Sequence, residues 1–433
     1  MTRKAPTTPR HIILDLLAGV LDRHQLLDDV LDDPRLHGLE ERDRGFVRLV
    51  TTTTLRRLGQ IDALIDACVD KPLRAGAAVA QQVLRAGICQ LLFLDVAPHA
   101  AISTSVDLVK GTSQAGFAKL INAVLRRLDR DGRAMVAAQD ESLLNTPEWL
   151  WRSWVEAYGE ETAHAIGTAH LTEAPVDLSV AADPEGWAAK LGAEILPTGT
   201  LRLAGGGSIT ALAGFDEGAW WVQDAAAALP ARLLGDVQGK RVADLCAAPG
   251  GKALQLAAAG AEVTALDRSA KRLVRLSDNL KRLGLSATVV TADAGTWVPP
   301  QPLDAVLLDA PCSATGTLRR HPDVARHKNP AEIVKLAGVQ ARLLAAAAAA
   351  AMLKPGGVLV YCVCSLEPQE GPEQVERLLA AGAPLRRIPI RADEVGGLAE
   401  LITPEGDLRT LPCHLADKGG MDAFFASRLE KVG

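Results

Sequence analysis

The sequence lacks the cysteine arrangements that build disulfide frameworks and zinc sites. Its 433 residues include seven cysteines, an odd number spread over a long chain, which does not suit a disulfide framework. No two of them have the Cys-x-x-Cys spacing of a zinc site, so we expect no bound metal. They are Cys68, Cys89, Cys246, Cys312, Cys362, Cys364 and Cys413. We therefore expect reduced thiols, each of which either packs in a core or reacts.

Long apolar runs are missing as well. No segment reaches the roughly 20 apolar residues that a membrane-spanning helix needs. The first 21 residues, MTRKAPTTPRHIILDLLAGVL, contain only a short apolar run and no small-residue cleavage site after it. These absences predict a cytoplasmic protein with no membrane partner.

A strong excess of one charge is the third missing feature. The net charge is −5, which does not indicate a nucleic-acid binder over its whole surface. Residues 1–135 contain 19 Lys and Arg against 16 Asp and Glu, whereas the remainder contains 28 against 36. A nucleic-acid contact would therefore need a local patch, and the first third of the chain is the better place for one.

The patterns along the chain predict three domains and no internal repeats. Residues 1–135 repeat apolar residues at helical spacing, which predicts an all-helical domain. Within it, GFAKLINAVLRRLDR has a basic face at Arg126, Arg127 and Arg130, which either is solvated or contacts RNA. Residues 136–215 predict a linker and a small α/β domain. In residues 216–433 strands and helices alternate, which predicts an α/β fold with a parallel sheet.

A cofactor site is predicted at the carboxyl ends of these strands. VADLCAAPGGKALQLAA is an apolar strand, a tight turn and a helix, but it lacks the GxGxxG spacing of a dinucleotide site, which disfavours NAD. The next three strands end in Asp267, Asp293 and Asp309. A single aspartate there is more often a helix cap. Three together at the ligand-binding edge of an open sheet indicate a cofactor that contains a nucleoside.

Four motifs resemble the AdoMet-dependent RNA cytosine-5 methyltransferases. They are DLCAAPGGK, LDAPCSATGTLRRHPD, YCVCS and the closing GGMDAFFASRL, and the resemblance covers about residues 145–433. The helical domain ahead of them resembles NusB, an RNA-binding fold. The combination is similar to the RsmB (Fmu/Sun) branch, the 16S rRNA (cytosine(967)-C(5))-methyltransferases.

The resemblance implies a Rossmann-like methyltransferase domain that binds S-adenosyl-L-methionine (AdoMet). By resemblance, Asp267 holds the ribose, Asp293 lies beside the adenine, and Asp309 lies near both the methionine and the cytosine. The turn that contacts AdoMet would consist of Cys246, Ala247, Ala248, Pro249, Gly250, Gly251 and Lys252. The implied partner is small-subunit rRNA rather than DNA, and we expect a monomer.

Two of the cysteines fit covalent catalysis. Carbon 5 of cytosine is a poor nucleophile, and addition of a thiolate to carbon 6 activates it by splitting one difficult step into two easier ones. In the RNA family the later cysteine attacks, which corresponds to Cys364, while the Pro-Cys cysteine, here Cys312, assists product release. DNA enzymes use the Pro-Cys thiol instead. Val363 replaces the family's usual threonine but leaves the thiol in place, and Asp309 is the expected proton donor to the base. Cys362 fits a core position.

A basic segment, Leu318 to Lys328 (LRRHPDVARHK), follows Cys312 and suits either phosphate contacts or a solvated loop. Other substrates remain open at this stage, namely tRNA or another rRNA site. So does a non-catalytic RNA-binding factor that keeps a methyltransferase fold, although both cysteines and the glycine turn are present. A DNA methyltransferase would need a target-recognition domain, and none is found in the sequence.

Overall fold

The computed structural model describes residues 8–73, 75–205, 207–349 and 351–432. The first seven residues of the predicted helical domain therefore lie outside the described residues. The chain forms two compact units. We call Met1–Thr172 with Leu318–His327 the helical unit, and Glu173–Thr317 with Lys328–Gly433 the sheet unit.

The helical unit packs its helices around one apolar core. Residues such as Leu17, Ile61, Leu84 and Leu125 recur on the inner faces of these helices and are fully or almost fully buried. The helices are α1 (Pro9–Arg23), α2 (Leu27–Leu31), α3 (Pro34–His37), α4 (Glu41–Arg56), α5 (Leu58–Cys68), α6 (Ala78–Ile88), α7 (Pro98–Lys110), α8 (Ala118–Ala137), α9 (Glu141–Asn145), α10 (Glu148–Tyr158) and α11 (Glu160–Ala169).

Helices continue beyond residue 135, where the sequence predicted a linker. Helices α9–α11 form because Leu150 and Trp154 lie one turn apart on α10 and are completely buried, as is Ile166 on α11. The burial of Trp154 indicates a packing role for this tryptophan.

The first part of the sheet unit is a small antiparallel sheet with one helix. Its strands are β1 (Asp177–Val180), β2 (Ala193–Ile195), β3 (Leu201–Leu203) and β4 (Trp220–Val222), in the order β2-β3-β1-β4. Helix α12 (Pro184–Leu191) joins β1 to β2. The last strand lies beyond residue 215 because Trp220 belongs to the core of this small sheet, which also contains Leu178 and Leu201.

The rest of the sheet unit is built on a large, mostly parallel sheet. Its strands have the order β10-β12-β9-β8-β5-β6-β7, with β11 paired to β12. They are β5 (Arg241–Leu245), β6 (Glu262–Asp267), β7 (Thr288–Thr291), β8 (Leu303–Asp309), β9 (Leu353–Val363), β10 (Leu385–Arg387), β11 (Leu408–Arg409) and β12 (Phe425–Lys431). The remaining helices are α13 (Leu229–Arg232), α14 (Gly251–Ala258), α15 (Ala270–Arg282), α16 (Val324–His327), α17 (Pro330–Ala347) and α18 (Pro372–Ala380), of which α16 belongs to the helical unit.

Both faces of the large sheet are covered, as the continuous apolar strands predict. Along β8, Ala305 and Leu307 face one core while Val306 and Leu308 face the other. Strands β5 to β9 pair in parallel, and β12 runs antiparallel to β9. The predicted α/β class with a Rossmann-like sheet is therefore observed.

The basic segment after Cys312 is anchored in the helical unit. Asp323 accepts a hydrogen bond from the backbone N–H of Leu27 at 2.9 Å, and Arg56 Nη2 donates to the carbonyl of Arg319 at 3.0 Å. Arg326 Nη2 donates to the carbonyl of Asn145 at 3.2 Å. Arg319 is 1% exposed, so it cannot be the solvated or phosphate-binding side chain that the sequence suggested.

Within the ranges that the structure describes, no helix combines the length and the apolar character that crossing a membrane would require.

Candidate active site

The predicted site residues come together at the carboxyl edge of the large sheet. The neighbouring strands β9, β8, β5, β6 and β7 end near Cys364, Asp309, Cys246, Asp267 and Asp293, in that order across the edge. Strand order reverses between β5 and β8, because β6 and β7 extend from one side of β5 while β8 and β9 extend from the other. Such a switch point leaves a crevice outside the strand ends, where ligands of open α/β sheets bind.

A tight turn forms the centre of this edge. Gly250 has φ +122°, and a Cβ atom there would lie 2.6 Å from Cδ1 of Leu276, so no larger residue fits. Ala247 and Ala248 are buried, and α14 begins at Gly251. A ligand at the turn would therefore meet backbone atoms rather than side chains. The first N–H groups of α14 have no partner within the helix and can bind that ligand. A ligand can approach this backbone closely.

Asp267 lies against the turn. Its carboxylate is 2% exposed and accepts hydrogen bonds from the N–H of Ser269 at 2.8 Å and the N–H of Ala248 at 3.3 Å. Arg272 Nη1 forms an ion pair with it at 3.1 Å. The acid that the resemblance assigns to a ribose is thus held in place beside the turn by its own backbone neighbours.

Lys252 and Asp309 form an ion pair inside the site. Lys252 Nζ lies 2.7 Å from Asp309 Oδ2, and 4.8 Å from the centre of the Phe424 ring. Burial disfavours the ammonium, but the carboxylate of Asp309, together with the neighbouring Cys362 and Cys364, outweighs that effect and raises the pKa of Lys252 above its ordinary value. Lys252 is therefore a poor acid, and its side chain remains a positively charged ammonium. The other oxygen of Asp309 lies 3.5 Å from the Cys362 thiol.

Asp293 follows β7 and is the most open of the three predicted acids. It accepts a hydrogen bond from the N–H of Gly295 at 2.7 Å, and Arg342 on α17 donates to it at 3.1 and 3.2 Å. The Arg342 guanidinium holds the pKa of Asp293 below its usual value. The N–H of Ala292 bonds to the carbonyl of Asp267 at 3.2 Å, which keeps the two acids on adjacent strand ends.

A fourth acid, Asp244, is buried under the turn. It is 1% exposed, and neither of its carboxyl oxygens has a hydrogen-bond partner among the described residues. Burial, followed by the charge of Asp309, raises the pKa of Asp244 well above its usual value. A ligand that brings positive charge to this edge would offset the repulsion between Asp244 and its acidic neighbours. A nucleoside cofactor with a sulfonium and an ammonium group fits this set of residues.

The two catalytic cysteine candidates lie side by side. Cys312 follows β8, Cys364 follows β9, and their sulfur atoms are 3.4 Å apart. The hydrogen bond to Cys364, followed by burial, raises the pKa of the Cys312 thiol well above its ordinary value. Cys312 therefore keeps its proton at neutral pH and can donate it toward the sulfur of Cys364.

The remaining cysteines of the sheet edge are less suited to attack. Burial, and then the charges of Asp309, Asp244 and Asp267, raise the pKa of Cys246 to about 12, so it stays a thiol in the turn. Cys362 is fully buried in the core, as expected, and burial raises its pKa as well. Its contact with Asp309 was not foreseen.

Sequence reasoning missed three residues that shape this site. Asp244 left a signal, because it is the one acid inside the apolar run RVADL. Arg272 left none, since it is one of several basic residues on α15. Glu370, a buried acid close to both cysteine loops, is indistinguishable in sequence from the other polar residues of SLEPQEGPEQ.

Two protein families match the chain. The 16S rRNA methyltransferase RsmB/F family matches residues 231–430, which include the turn, the three acids and both cysteines. The NusB family matches residues 7–130. The NusB resemblance predicted for the helical domain is therefore confirmed.

Individual proteins resemble the chain over most of its length. The ribosomal RNA small subunit methyltransferase B of Pseudomonas syringae pv. tomato is 35% identical over 445 residues, which covers 98% of this chain and 97% of the relative. The crystal structure of a methyltransferase homolog protein from Pyrococcus horikoshii has a TM-score of 0.56 at 25% identity and covers 67% of this chain and 97% of its own. The crystal structure of PH0851 has a TM-score of 0.75 over 99% of this chain and 100% of its own, and at 22% identity it shows a shared fold.

Proposed function

The chain belongs to the RsmB/F family of 16S rRNA methyltransferases, and from that membership we propose that it methylates carbon 5 of one specific cytosine in 16S rRNA through a covalent Cys364 adduct. The family makes it an AdoMet-dependent rRNA methyltransferase, as the sequence motifs indicated. The adjacent Cys312 and Cys364 sulfur atoms, 3.4 Å apart at the cofactor edge, are the observation that supports the covalent route.

AdoMet, when bound, supplies an electrophilic methyl group. The residues that would hold it are the turn from Cys246 to Lys252, with Asp267 at the ribose and Asp293 toward the adenine. Asp309 would lie between the methionine portion and the base. The buried Asp244, which has no partner among the described residues, adds a carboxyl group on the side of the cofactor's positive charge.

Cys364 has the task of adding to the base. Its sulfur forms a bond to carbon 6 of the cytosine while N3 gains a proton, which leaves carbon 5 nucleophilic. We assign the delivery of that proton to Asp309, which must first take it up from solvent because its carboxylate is paired with Lys252; the ammonium of Lys252 is held charged and is a poor acid. After methylation, carbon 5 loses its proton to solvent, the bond between sulfur and carbon 6 breaks, and N3 gives back the proton that it gained. Cys312 then donates a hydrogen bond to the departing thiolate.

The target cytosine must be unstacked from its neighbours for this chemistry, because a stacked base shields both faces of carbon 6. We propose that the exposed arginines of α8 in the helical unit contact rRNA phosphates. All cofactor and cysteine residues come from the sheet unit of one chain, which supports a monomer. The rRNA substrate supports action in the cytoplasm, with no role for DNA.

Bisulfite sequencing of 16S rRNA tests the function directly. RNA from cells that lack this gene should lose one protected cytosine, and the gene supplied on a plasmid should restore it. A pattern of protection identical in both strains would contradict the proposed activity. Loss of protection in tRNA instead would move the substrate to the alternative class.

Asp267→Ala should weaken AdoMet binding about tenfold to a hundredfold. The substitution removes charge-assisted hydrogen bonds to the ribose, each worth about 1.5–3 kcal/mol. Isothermal titration calorimetry with AdoMet measures the change. Asp278→Ala, which removes an exposed acid from α15, is the matched control and should bind as wild type does. Unchanged affinity in a folded Asp267→Ala protein would mean that the ribose lies elsewhere.

Charge reversal on α8 should weaken RNA binding without affecting the cofactor. Arg126 and Arg127 are exposed, and removal of one arginine–phosphate ion pair should reduce the slope of log K against log salt by about 0.7 to 0.9. The double variant Arg126→Glu/Arg127→Glu is compared with Arg48→Glu, an exposed position on α4. An RNA affinity and salt slope equal to those of the control would show that α8 does not contact RNA.

A further inference from the structure

A buried carboxylate lies between the two cysteine loops. Glu370 ends a single turn of 3-10 helix, Pro368–Glu370, and is 0% exposed. Burying a carboxylate costs free energy unless hydrogen bonds replace the lost water. The partners of Glu370 therefore indicate why the chain keeps an acid there.

Glu370 accepts four hydrogen bonds from three residues. Its Oε1 accepts from the backbone N–H of Ser313 at 2.9 Å and from Nε2 of Gln340 at 3.0 Å. Its Oε2 accepts from the hydroxyls of Ser313 and, at 2.5 Å, Ser365. All four groups act as donors toward it, so both oxygens of the Glu370 side chain serve as acceptors.

The positions of these donors in the chain connect Glu370 to the reacting thiols. Ser313 directly follows Cys312, and Ser365 directly follows Cys364. One carboxylate therefore bonds to both loops, next to each cysteine. Further bonds cross between the same loops, from the N–H of Gly316 to the carbonyl of Cys364 at 3.0 Å and from the N–H of Leu366 to Thr315 Oγ1 at 3.0 Å. The hydroxyl of Ser365 also lies 3.2 Å from that of Ser313 and 3.3 Å from that of Thr315.

We propose that Glu370 is a positioning residue that holds the Cys312 and Cys364 loops in register, so that the two sulfur atoms stay within hydrogen-bonding distance. This inference rests on the proposed covalent mechanism, because only a reaction that uses both thiols needs their separation fixed. Glu370 acts through Ser313 and Ser365 and has no contact with the sulfur atoms among its hydrogen bonds. A shift of a reacting group by about 1 Å can lower a rate about a hundredfold.

Glutamine cannot replace the acid without reversing a hydrogen bond. An amide offers one acceptor oxygen and one donor NH₂ group. The N–H of Ser313 and the amide of Gln340 need the oxygen, so the NH₂ group would face the two hydroxyls. The Ser365 hydroxyl already accepts from the N–H of Glu367 at 3.0 Å. It would lose its shortest acceptor and keep only the longer contacts to Ser313 Oγ at 3.2 Å and Thr315 Oγ1 at 3.3 Å. Glu370→Gln therefore loosens the Cys364 loop while keeping the volume of the side chain.

The test compares Glu370→Gln with Glu373→Gln, an exposed acid three residues later on α18. Both are assayed as full-length proteins for kcat, for KM with 16S rRNA, for AdoMet affinity by calorimetry and for melting temperature. We expect kcat of Glu370→Gln to fall about tenfold to a hundredfold, with AdoMet affinity within about twofold of wild type. In a Cys312→Ala background, where no second sulfur is left to hold in register, the same substitution should leave the rate of adduct formation unchanged. Glu373→Gln should match wild type in every assay.

Three outcomes overturn the proposal. Wild-type kcat in Glu370→Gln shows that the loops need no such bond. A loss of AdoMet affinity equal to the loss of kcat shows that Glu370 supports the whole fold of the site rather than the thiols. Adduct formation in the Cys312→Ala background that slows as much as kcat places the defect at the attack by Cys364, before the step that the register serves. A wild-type protein that forms no 5-methylcytosine would instead refute the proposed function itself, which separates the two failures.

Discussion

Replacing Cys364 by alanine should abolish 5-methylcytosine formation, lowering turnover by more than about a thousandfold. Without its sulfur no bond to carbon 6 can form, and carbon 5 of the base stays too weak a nucleophile to take the methyl group. Cys312 has its sulfur only 3.4 Å from that of Cys364, but burial raises the pKa of its thiol even without Cys364, which disfavours it as a replacement nucleophile. Tritium transfer from labelled AdoMet to 16S rRNA measures the loss.

AdoMet binding separates a chemical effect from a folding effect. Cys364→Ala should bind AdoMet as wild type does, because the turn, Asp267 and Asp293 are unchanged. Cys413→Ala removes another partly buried thiol of the sheet unit and serves as the control with full activity expected. Methylation retained by Cys364→Ala would show that Cys364 is not the nucleophile.

Replacing Cys312 by alanine should trap the enzyme in a covalent complex with its RNA. Attack by Cys364 and methylation need no Cys312 thiol, but release loses the hydrogen bond that stabilises the departing thiolate. We expect a covalent protein–RNA complex in nearly every active molecule, while multiple turnover falls by about two to three orders of magnitude. The complex survives denaturation and runs as a retarded band on a denaturing gel.

The double variant Cys312→Ala/Cys364→Ala is the control for this band. It should show none, because the adduct requires the Cys364 sulfur. A band from Cys364→Ala and none from Cys312→Ala would give the Pro-Cys thiol the nucleophile's role, as in DNA enzymes.

The strands and the three acids could be predicted because their signals are local. Each of β5 to β9 is an apolar run, and the acids follow where three of those runs stop, so Asp267, Asp293 and Asp309 fall at one edge of any parallel sheet built from them. The turn at Gly250 was visible for the same reason. Gly250, where a Cβ atom does not fit, lies in a short run of small residues, CAAPGG, that is easily recognised in the sequence.

What could not be predicted depends on contacts between distant parts of the chain. The segment 318–327 is polar and basic, which suggests a solvated loop, yet Asp323 and Arg319 bond to groups of the helical unit that lie 296 and 263 positions away in the sequence. The pairing of Lys252 with Asp309 crosses 57 positions. The periodic pattern of apolar residues in a sequence does not indicate which distant residues form such pairs. The same is true of Glu370, whose importance comes entirely from lying beside two serines that neighbour the cysteines.

The bond between the Cys364 sulfur and carbon 6 is the central step of the mechanism, and wild-type enzyme can show it with an RNA that contains 5-fluorocytosine at the target. Fluorine replaces the proton that must leave carbon 5, so the methylated adduct cannot break down and both thiols remain present to compete. Digestion with protease and nuclease, followed by tandem mass spectrometry, identifies the cysteine that carries the methylated nucleotide. We expect the modification on Cys364 alone. A nucleotide attached to Cys312 would contradict the mechanism. So would an unmodified Cys364 after reaction with the fluorinated RNA, if the same enzyme preparation methylates ordinary RNA.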